Sequence, residues 1–194
     1  MSGDRFEILF VCHANLCRSP MAERLARQAF QDAFGPAAAG VVVSSAGTHA
    51  YAGSPMHSGS AAVLAEGGID AGGFSSRTVS SSMLLGVDLV LAAGREQRAA
   101  CVTLAPATVR RTFTVRQFTR LAAAASVSGG ALSVVGRLHG LVDGVNAARH
   151  LVPVVSAELD DLPDPVNRPV EAFRDCAEEI WRSLRTMVGV IGAT

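Results

Sequence analysis

The chain has 194 residues, 49% of them hydrophobic, and equal numbers of basic and acidic side chains (17 Lys and Arg, 17 Asp and Glu), so its formal net charge is zero. This length suits one compact domain with a sizeable core, and neutrality excludes a global field that would attract nucleic acid or an anionic membrane. Four scattered cysteines exclude a secreted disulfide framework, and the first residues form neither a secretory signal nor a membrane span, so a cytoplasmic protein is expected.

Apolar runs alternate with helical stretches, which predicts a single-domain, three-layer α/β fold with a central four-stranded parallel sheet and helices on both faces. The first helix is expected to begin at Ser19-Pro20, because serine is a good N-cap and proline suits the first turn. Apolar side chains recurring every three or four residues between Val170 and Ile191 predict a long closing helix. The predicted strands are Phe6–Cys12, Val41–Ala46, Val87–Ala92 and Thr112–Val115.

The stretch between the fourth strand and the closing helix carries weaker signals. Small residues around 122–133 predict a flexible connector, and a helix is expected over Leu132–His150. Neither an internal repeat nor a second domain is evident, so residues 1–194 are interpreted as one domain.

The first strand ends on Cys12, and a polar loop then leads to Arg18 and a helix. A loop in this position directs backbone N–H groups into one concavity, where the helix dipole favours negative charge. The Arg18 guanidinium can hold two oxygens of a tetrahedral oxyanion, and the positive surroundings favour a nucleophilic thiolate at Cys12. The sequence therefore predicts a phosphate-binding loop formed by His13, Ala14, Asn15, Leu16, Cys17, Arg18 and Ser19.

Two polar side chains are expected to support this loop. The Ser19 hydroxyl can donate a hydrogen bond to the Cys12 sulfur, and Asn15 can hold an unusual backbone turn.

The stretch CHANLCRSP, residues 12 to 20, resembles the signature of the low-molecular-weight protein tyrosine phosphatases, Cys-x-Gly-Asn-x-Cys-Arg-Ser-Pro. Ala14 replaces the glycine, which would cost about 1 kcal/mol if that position required a positive φ. SSAGTHA (44–50) and VDLVLAAGREQR (87–98) resemble the family's second strand and its third strand with the following helix. The resemblance implies that Ser45 supports the loop from behind.

The resemblance also implies an activity, the hydrolysis of phosphomonoesters through a phosphocysteine intermediate with inorganic phosphate as product. A protein-tyrosine phosphatase is the main expectation, and neither a cofactor nor a metal is expected. The partner is a phosphorylated protein or a small phosphomonoester, with no nucleic acid or membrane involved.

Expulsion of the leaving group requires a general acid. The stretch LDDLPDPVNRP, residues 159 to 169, supplies the family's Asp-Pro element, and the proline keeps Asp164 out of helical geometry. Asp164 is therefore predicted as the acid, and as the base that later activates water. Asp160 and Asp161 are the alternatives.

Cys17 supports two interpretations. Its sulfur can approach Cys12 and trap an oxidised Cys12 as a reversible disulfide, which the resemblance also implies, or it is a buried thiol that fills space under the helix. Cys101 and Cys176 are predicted as core residues.

The sequence says less about substrate recognition, because the chain has only one tyrosine and one tryptophan that could form aromatic walls around a phenyl group. Tyr51 is the best candidate for an aromatic wall of the pocket. Val166, Asn167 and Arg168 occupy the segment where many relatives carry tyrosines, and Phe74 stands where many carry a histidine behind the loop. Arg77 is interpreted as a surface or salt-bridge residue.

Two other functions remain open. One is a noncatalytic phosphate-binding or regulatory protein, which Ala14 and Phe74 favour. The other is an arsenate reductase, which requires further redox cysteines after the third strand, where only Cys101 lies. The basic stretch at residues 110 to 120 is a solvated face or a site for an acidic partner.

Overall fold

A computed structural model describes residues 5–126 and 133–192. Four parallel strands form a sheet in the order β2-β1-β3-β4. The strands are β1 (Phe6–Cys12), β2 (Val41–Gly47), β3 (Leu89–Ala92) and β4 (Thr112–Thr114). The helices are α1 (Arg18–Phe34), α2 (Ser58–Glu66), α3 (Ser81–Gly86), α4 (Arg95–Leu104), α5 (Val115–Ala124), α6 (Val134–Ala147), α7 (Ala157–Asp160) and α8 (Val170–Gly192). Short 3-10 helices occupy Gly35–Gly40, Pro106–Arg111 and Ala148–His150.

The central strand β1 is buried on both faces, which explains its nearly continuous apolar sequence. Phe6, Ile8 and Phe10 pack in a large core with side chains of α1, α5, α6 and α8. Leu9 and Val11 face a smaller core, where they meet side chains of α3 and α4. The predicted α/β fold, with helices on both faces of a four-stranded parallel sheet, is therefore confirmed.

The predicted element boundaries differ from the observed ones by a few residues. Strand β1 has the predicted bounds, whereas β3 begins two residues late, at Leu89. Strand β4 ends at Thr114, whose hydroxyl accepts a hydrogen bond from Gln117 N and caps α5. The N-cap role expected for Ser19 is wrong: α1 begins at Arg18, Cys17 is its N-cap, and the Ser19 hydroxyl binds other partners.

The region around the predicted connector is more helical than expected. Helix α5 extends to Ala124 with Ala122 buried, so the connector begins later than residue 122. Residues 127–132 of the predicted connector lie outside the described residues. Helix α6 and the 3-10 turn after it account for the helix expected up to His150. None of the described helices combines the length and apolarity needed to cross a membrane.

Cys101 and Cys176 lie in the core with 0% and 3% of their surface exposed, as predicted. Burial raises the pKa of Cys101 to about 11 and that of Cys176 to about 12.

These buried thiols predict an alkaline loss of stability. In the unfolded chain a thiol ionises near pH 8.5, about its ordinary pKa, and the raised pKa in the fold keeps it neutral. The stability due to the neutral thiols is complete below that pH and is lost as the pH rises through about 11 to 12. We expect the free energy of unfolding in urea to fall by about 1.4 kcal/mol per thiol for each pH unit between about pH 8.5 and the raised pKa of that thiol. Cys101→Ala should reduce the slope, and an identical slope in this variant contradicts the assignment.

Candidate active site

The nucleophile candidate Cys12 lies at the carboxyl end of β1, and a hydroxyl contacts its sulfur. Ser19 Oγ is 3.0 Å from Cys12 Sγ and 3.2 Å from Ala46 O. The same hydroxyl accepts a hydrogen bond of 2.9 Å from Asn15 Nδ2. Because one lone pair of the hydroxyl is thus engaged, its proton is directed towards the sulfur or the carbonyl. When the hydroxyl donates to the sulfur, it stabilises negative charge there.

Asn15 organises the loop from a fully buried position. Its φ of 55° lies in the left-handed region, which asparagine tolerates better than most residues. Its Nδ2 also donates to Ser45 Oγ (3.0 Å), and its Oδ1 accepts from Arg77 N (2.9 Å). The positive φ in the loop belongs to Asn15, and Ala14 does not have one, so the condition under which Ala14 would be strained is not met.

Behind the loop, a buried chain of hydrogen bonds continues into α1. Ser45 Oγ donates to Glu23 Oε2 at 2.6 Å, and Glu23 pairs with Arg27 at 2.6 Å. Arg77 Nε donates to Ser45 O at 2.8 Å. Arg77 thus supports the loop through both its backbone and its guanidinium, a role that the sequence interpretation missed.

Phe74 is half-buried and packs against the large core. The loop's polar support comes from the neighbouring Arg77 rather than from this position. Phe74 therefore gives no reason to expect a disordered loop.

The carbonyl groups of the loop accept hydrogen bonds from neighbouring segments. Thr48 N, His49 N and His57 N donate to the carbonyls of residues 12, 13 and 16 at 3.0, 2.8 and 3.0 Å, respectively. None of the backbone amides of residues 14–17 donates a hydrogen bond to another group in the described part of the chain. Amides in such a loop, next to a helix N-terminus, form an anion site.

Gly47, the last residue of β2, lies directly against the loop. A Cβ at this position would lie 2.6 Å from His13 O and 2.8 Å from Asn15 N, both of them backbone atoms. We expect Gly47→Ala to displace the loop and to lower the turnover of a phosphomonoester by about 10²-fold, with the secondary structure retained by circular dichroism. Gly86→Ala, where a Cβ would meet open space, is the matched control. Equal turnover of the two variants would rule out the close packing as a requirement.

Arg18 and Asp164 meet across the entrance to the loop. Arg18 Nη1 donates to Leu162 O at 3.1 Å, and Arg18 Nη2 forms an ion pair with the Asp164 carboxylate. The Arg18 Nε atom is buried and has no acceptor among the described residues. Asp164 Oδ1 also accepts a hydrogen bond from Val166 N at 3.2 Å. The structure therefore brings Arg18 and Asp164 together, at the end of the loop that begins after Cys12.

Three contacts anchor the segment that precedes Asp164. Leu162 N donates to Ala93 O at 2.8 Å, and Asp161 Oδ1 accepts from Arg95 N at 2.7 Å. The buried Asp160 pairs with Arg120 of α5 at 2.6 Å. Asp160 and Asp161, the alternatives for the acid, thus have anchoring contacts of their own.

Loss of the Arg120 anchor is expected to affect Asp164 indirectly. Arg120→Gln leaves the buried Asp160 carboxylate without its cation, which should cost about 3 kcal/mol of folding stability. It should also lower kcat about tenfold for alkyl phosphates, which depend on proton donation, and less for para-nitrophenyl phosphate. Arg182→Gln removes an exposed pair with Glu178 and should change stability by less than about 1 kcal/mol. An equal loss on both substrates would indicate a purely structural role.

A cavity of about 300 Å³ lies between the loop and the acid-bearing segment. Its lining is polar and comprises His13, Arg18, Gly94, Glu96, Gln97, Asp161 and Asp164. The sequence interpretation missed Glu96 and Gln97. The signal that could have found them is their place just after β3, because the carboxyl ends of parallel strands meet at one edge of the sheet.

Tyr51 does not line this cavity, and 87% of its surface is exposed. The ring of His13 instead stacks on that of His49, with ring centroids 4.5 Å apart. Within the described ranges, no three His, Cys, Asp or Glu side chains group in a way that could hold a metal ion.

Cys17 is buried at the start of α1. Burial, assisted by the negative charge of Asp164, raises the pKa of Cys17 to about 12, so the group is a neutral thiol at neutral pH. Both Cys12 and Cys17 are free, and a disulfide between them stays a prediction.

Cys12, the loop with its undonated amides, and the Arg18–Asp164 ion pair follow one strand of a parallel sheet that helices cover on both faces. Residues 7–128 match the family model described as low molecular weight phosphotyrosine protein phosphatase. The chain belongs to this family.

Two curated relatives align with about half of the chain. The low molecular weight protein-tyrosine-phosphatase Etp of Escherichia coli (strain K12) is 36% identical over 99 residues, which is 51% of this chain and 62% of Etp. The probable low molecular weight protein-tyrosine-phosphatase EpsP of Ralstonia solanacearum is 38% identical over 91 residues, 47% of this chain and 57% of EpsP. The chain thus matches less than two thirds of the length of each relative.

Solved structures match almost the whole chain. A low molecular weight protein tyrosine phosphatase from T. tengcongensis has a TM-score of 0.68 and 26% identity, with 95% of this chain and 98% of that chain covered. The YwlE arginine phosphatase from Geobacillus stearothermophilus has a TM-score of 0.67 and 26% identity, with coverages of 95% and 91%.

Proposed function

We propose that the protein is a cysteine-dependent phosphomonoester hydrolase and, most specifically, a protein-tyrosine phosphatase. The observation that carries this proposal is the buried Arg18 Nε, which lacks an acceptor beside Cys12 and the free loop amides. Three equatorial oxygens of a phosphoryl group would accept from these donors. Membership of the family supports the same conclusion.

In the proposed first step, the Cys12 thiolate attacks phosphorus. The S–P bond forms while the bond from phosphorus to the leaving oxygen breaks, and Asp164 gives its proton to that oxygen. Arg18 and the loop amides stabilise the charge on the equatorial oxygens. Because Arg18 holds the Asp164 carboxylate when no phosphate is bound, the substrate displaces that carboxylate from the guanidinium, and the released carboxylate takes from the solvent the proton that it then donates.

In the second step, Asp164 acts as a base. It takes a proton from water, the water oxygen bonds to phosphorus, and the S–P bond breaks to regenerate the thiolate and release inorganic phosphate. Cys17, which burial keeps as a neutral thiol, does not compete as a nucleophile. We also propose a cytoplasmic location, which the four free cysteines support.

Two substrate classes are candidates, one supported by the relatives and one by the lining of the cavity. A phosphotyrosyl side chain of a partner protein is the first candidate, because relatives with the same family match are named for that activity. The polar lining, which includes Glu96 and Asp161 but not Tyr51, favours small phosphomonoesters as the alternative. Noncatalytic phosphate binding loses one of its two supports, because Ala14 does not have a positive φ. An arsenate reductase is disfavoured because Cys101 is fully buried.

The test uses the reduced wild-type protein with phosphotyrosine peptides, phosphoserine peptides and para-nitrophenyl phosphate across acidic to neutral pH. We expect turnover of both aryl phosphates, and acid quenching during turnover should trap one phosphoryl group on Cys12, located by peptide mass spectrometry. Cys101→Ala is the matched thiol control. Binding of phosphate without turnover of any substrate would leave the regulatory alternative as the better explanation.

A further inference from the structure

A second cavity, of about 370 Å³, lies behind the catalytic loop. Helix α1 and the segment between α2 and α3 supply most of its lining. Helix α1 contributes Glu23, Arg24 and Arg27, and the segment contributes Arg77 and the turn at residues 72–75. Among the described residues, none lines both this cavity and the catalytic one, so the two cavities are separate.

Positive charge dominates the lining of this cavity. The one carboxylate among its described lining residues, Glu23, is 7% exposed, and both of its oxygens are engaged. Oε1 pairs with Arg27 Nη2 at 2.6 Å, and Oε2 accepts a hydrogen bond from Ser45 Oγ at 2.6 Å. Arg24 and Arg77 belong to none of the ion pairs in the described part of the chain. The lining therefore holds two arginine charges that no lining carboxylate balances.

These two arginines have guanidinium nitrogens that are available to a ligand. Arg77 is exposed, and its Nε donates to Ser45 O at 2.8 Å, whereas its Nη1 and Nη2 atoms have no acceptor among the described residues. Arg24 Nη2 donates to Gly72 O at 2.9 Å. Arg24 Nη1 has no described acceptor either and, unlike Arg24 Nε, is not fully buried. Terminal guanidinium nitrogens of this kind bind the oxygens of an oxyanion.

The turn that lines the cavity adds backbone donors. The amides of Gly73 and Ser75 donate no hydrogen bond within residues 5–126 and 133–192. Backbone N–H groups of turns supply hydrogen bonds to bound anions. Asp70, the carboxylate next to this turn, accepts from Gly72 N at 2.7 Å and is not part of the lining. Free donors from the turn and from the two arginines thus meet in one cavity.

We propose that this cavity is a binding site for a small anion that carries a phosphate group. A carboxylate presents two oxygens, which one guanidinium fork can satisfy, whereas a tetrahedral phosphate presents oxygens to several donors at once. The volume is at the lower end of the range of small-molecule pockets, about 300–1,000 Å³, and the Phe74 side chain gives the lining an apolar part. Inorganic phosphate and a small phosphate ester share the required chemistry.

The cavity adjoins the groups that support the catalytic loop. Arg77 N donates to Asn15 Oδ1 at 2.9 Å, and Ser45 Oγ accepts from Asn15 Nδ2 at 3.0 Å. Both Arg77 and Ser45 line the cavity. Because the two sites are this close, the test needs a readout that is resolved by residue. Binding here requires no turnover, so it can be measured in protein that lacks the nucleophile.

The experiment titrates inorganic phosphate, and separately glycerol 3-phosphate, into isotope-labelled Cys12→Ser protein, which leaves the ester intact. Amide chemical shifts are followed by NMR. We expect the amides of Gly73 and Ser75 to shift along a saturable curve that differs from the curve of the catalytic loop. Arg24→Gln in the same background should weaken the affinity at Gly73 and Ser75 at least about tenfold and leave the loop curve unchanged. Arg182→Gln, on an exposed part of α8, is the matched control and should keep both curves.

The two probes distinguish the sources of the phosphate group. Tighter binding of the ester assigns an organic ligand, and equal or tighter binding of inorganic phosphate assigns the ion itself. The proposal is overturned if the amides of Gly73 and Ser75 do not shift, if they follow the loop curve, or if sodium chloride at equal ionic strength shifts them equally. It is also overturned if Arg24→Gln binds as the control does.

The spectrum of Arg24→Gln shows directly whether this variant is folded. Should it not be, Arg24→Lys keeps the charge but lacks the fork. It should bind both probes several-fold more weakly at Gly73 and Ser75, and an unchanged affinity there would refute the site.

Discussion

Cys12→Ser is expected to lower the turnover of para-nitrophenyl phosphate by about 10⁴-fold or more, the scale on which enzymes lose activity when their nucleophile is removed. A serine hydroxyl at this position is protonated at neutral pH and is a far weaker nucleophile than a thiolate. The loop amides and Arg18 remain, so the affinity for inorganic phosphate should change little. Steady-state kinetics and a phosphate titration of the same preparation measure both quantities.

The control for this variant is Cys101→Ala, which removes a buried thiol from α4 and should retain turnover. If Cys12→Ser kept more than a small fraction of the wild-type rate, the thiolate mechanism would have to be abandoned. If both variants lost activity together, the loss would reflect folding rather than chemistry.

Asp164→Asn is expected to produce a loss that depends on the leaving group. For an alkyl phosphate the rate should fall by about 10²–10⁴-fold, the usual contribution of a general acid. For an activated aryl phosphate, whose leaving oxygen needs little protonation, the fall in the first step should be much smaller. The measurement is kcat/KM, which reports the first step, over a series of phosphates that differ in leaving-group basicity.

Asp161→Asn is the matched control, because Asp161 lines the same cavity but its Oδ1 is bound to Arg95 N. Its effect should not vary with the leaving group. A loss of the same size on all substrates for Asp164→Asn would remove this residue from the role of acid.

Much of the fold was predictable because its signals are local. Strand β1 has the predicted bounds since a run of buried apolar residues is followed at once by a polar loop. The start of α1 was not predictable from Ser19, because the choice between capping a helix and binding Cys12 Sγ depends on where the sulfur lies in space. Local propensity carries no information on that distance.

The site residues also divide into those that local sequence predicts and those that depend on contacts between distant segments. Cys12, Arg18 and the Asp-Pro element are recognisable in sequence, since each belongs to a short motif. Gly47 and Arg77 are not, because they act through backbone contacts with residues 30 to 60 positions away. Tyr51 was the expected wall, but an aromatic side chain near the site in sequence can still point to solvent, as this one does.

The contact between Arg18 and Asp164 makes the free site partly occupied by the chain itself. The Asp164 carboxylate uses the guanidinium that a phosphate must also use, so the two anions exclude each other at Arg18. The free energy of the internal contact is therefore subtracted from that of phosphate binding, and the chain's own carboxylate acts as a built-in competitor of both substrate and product.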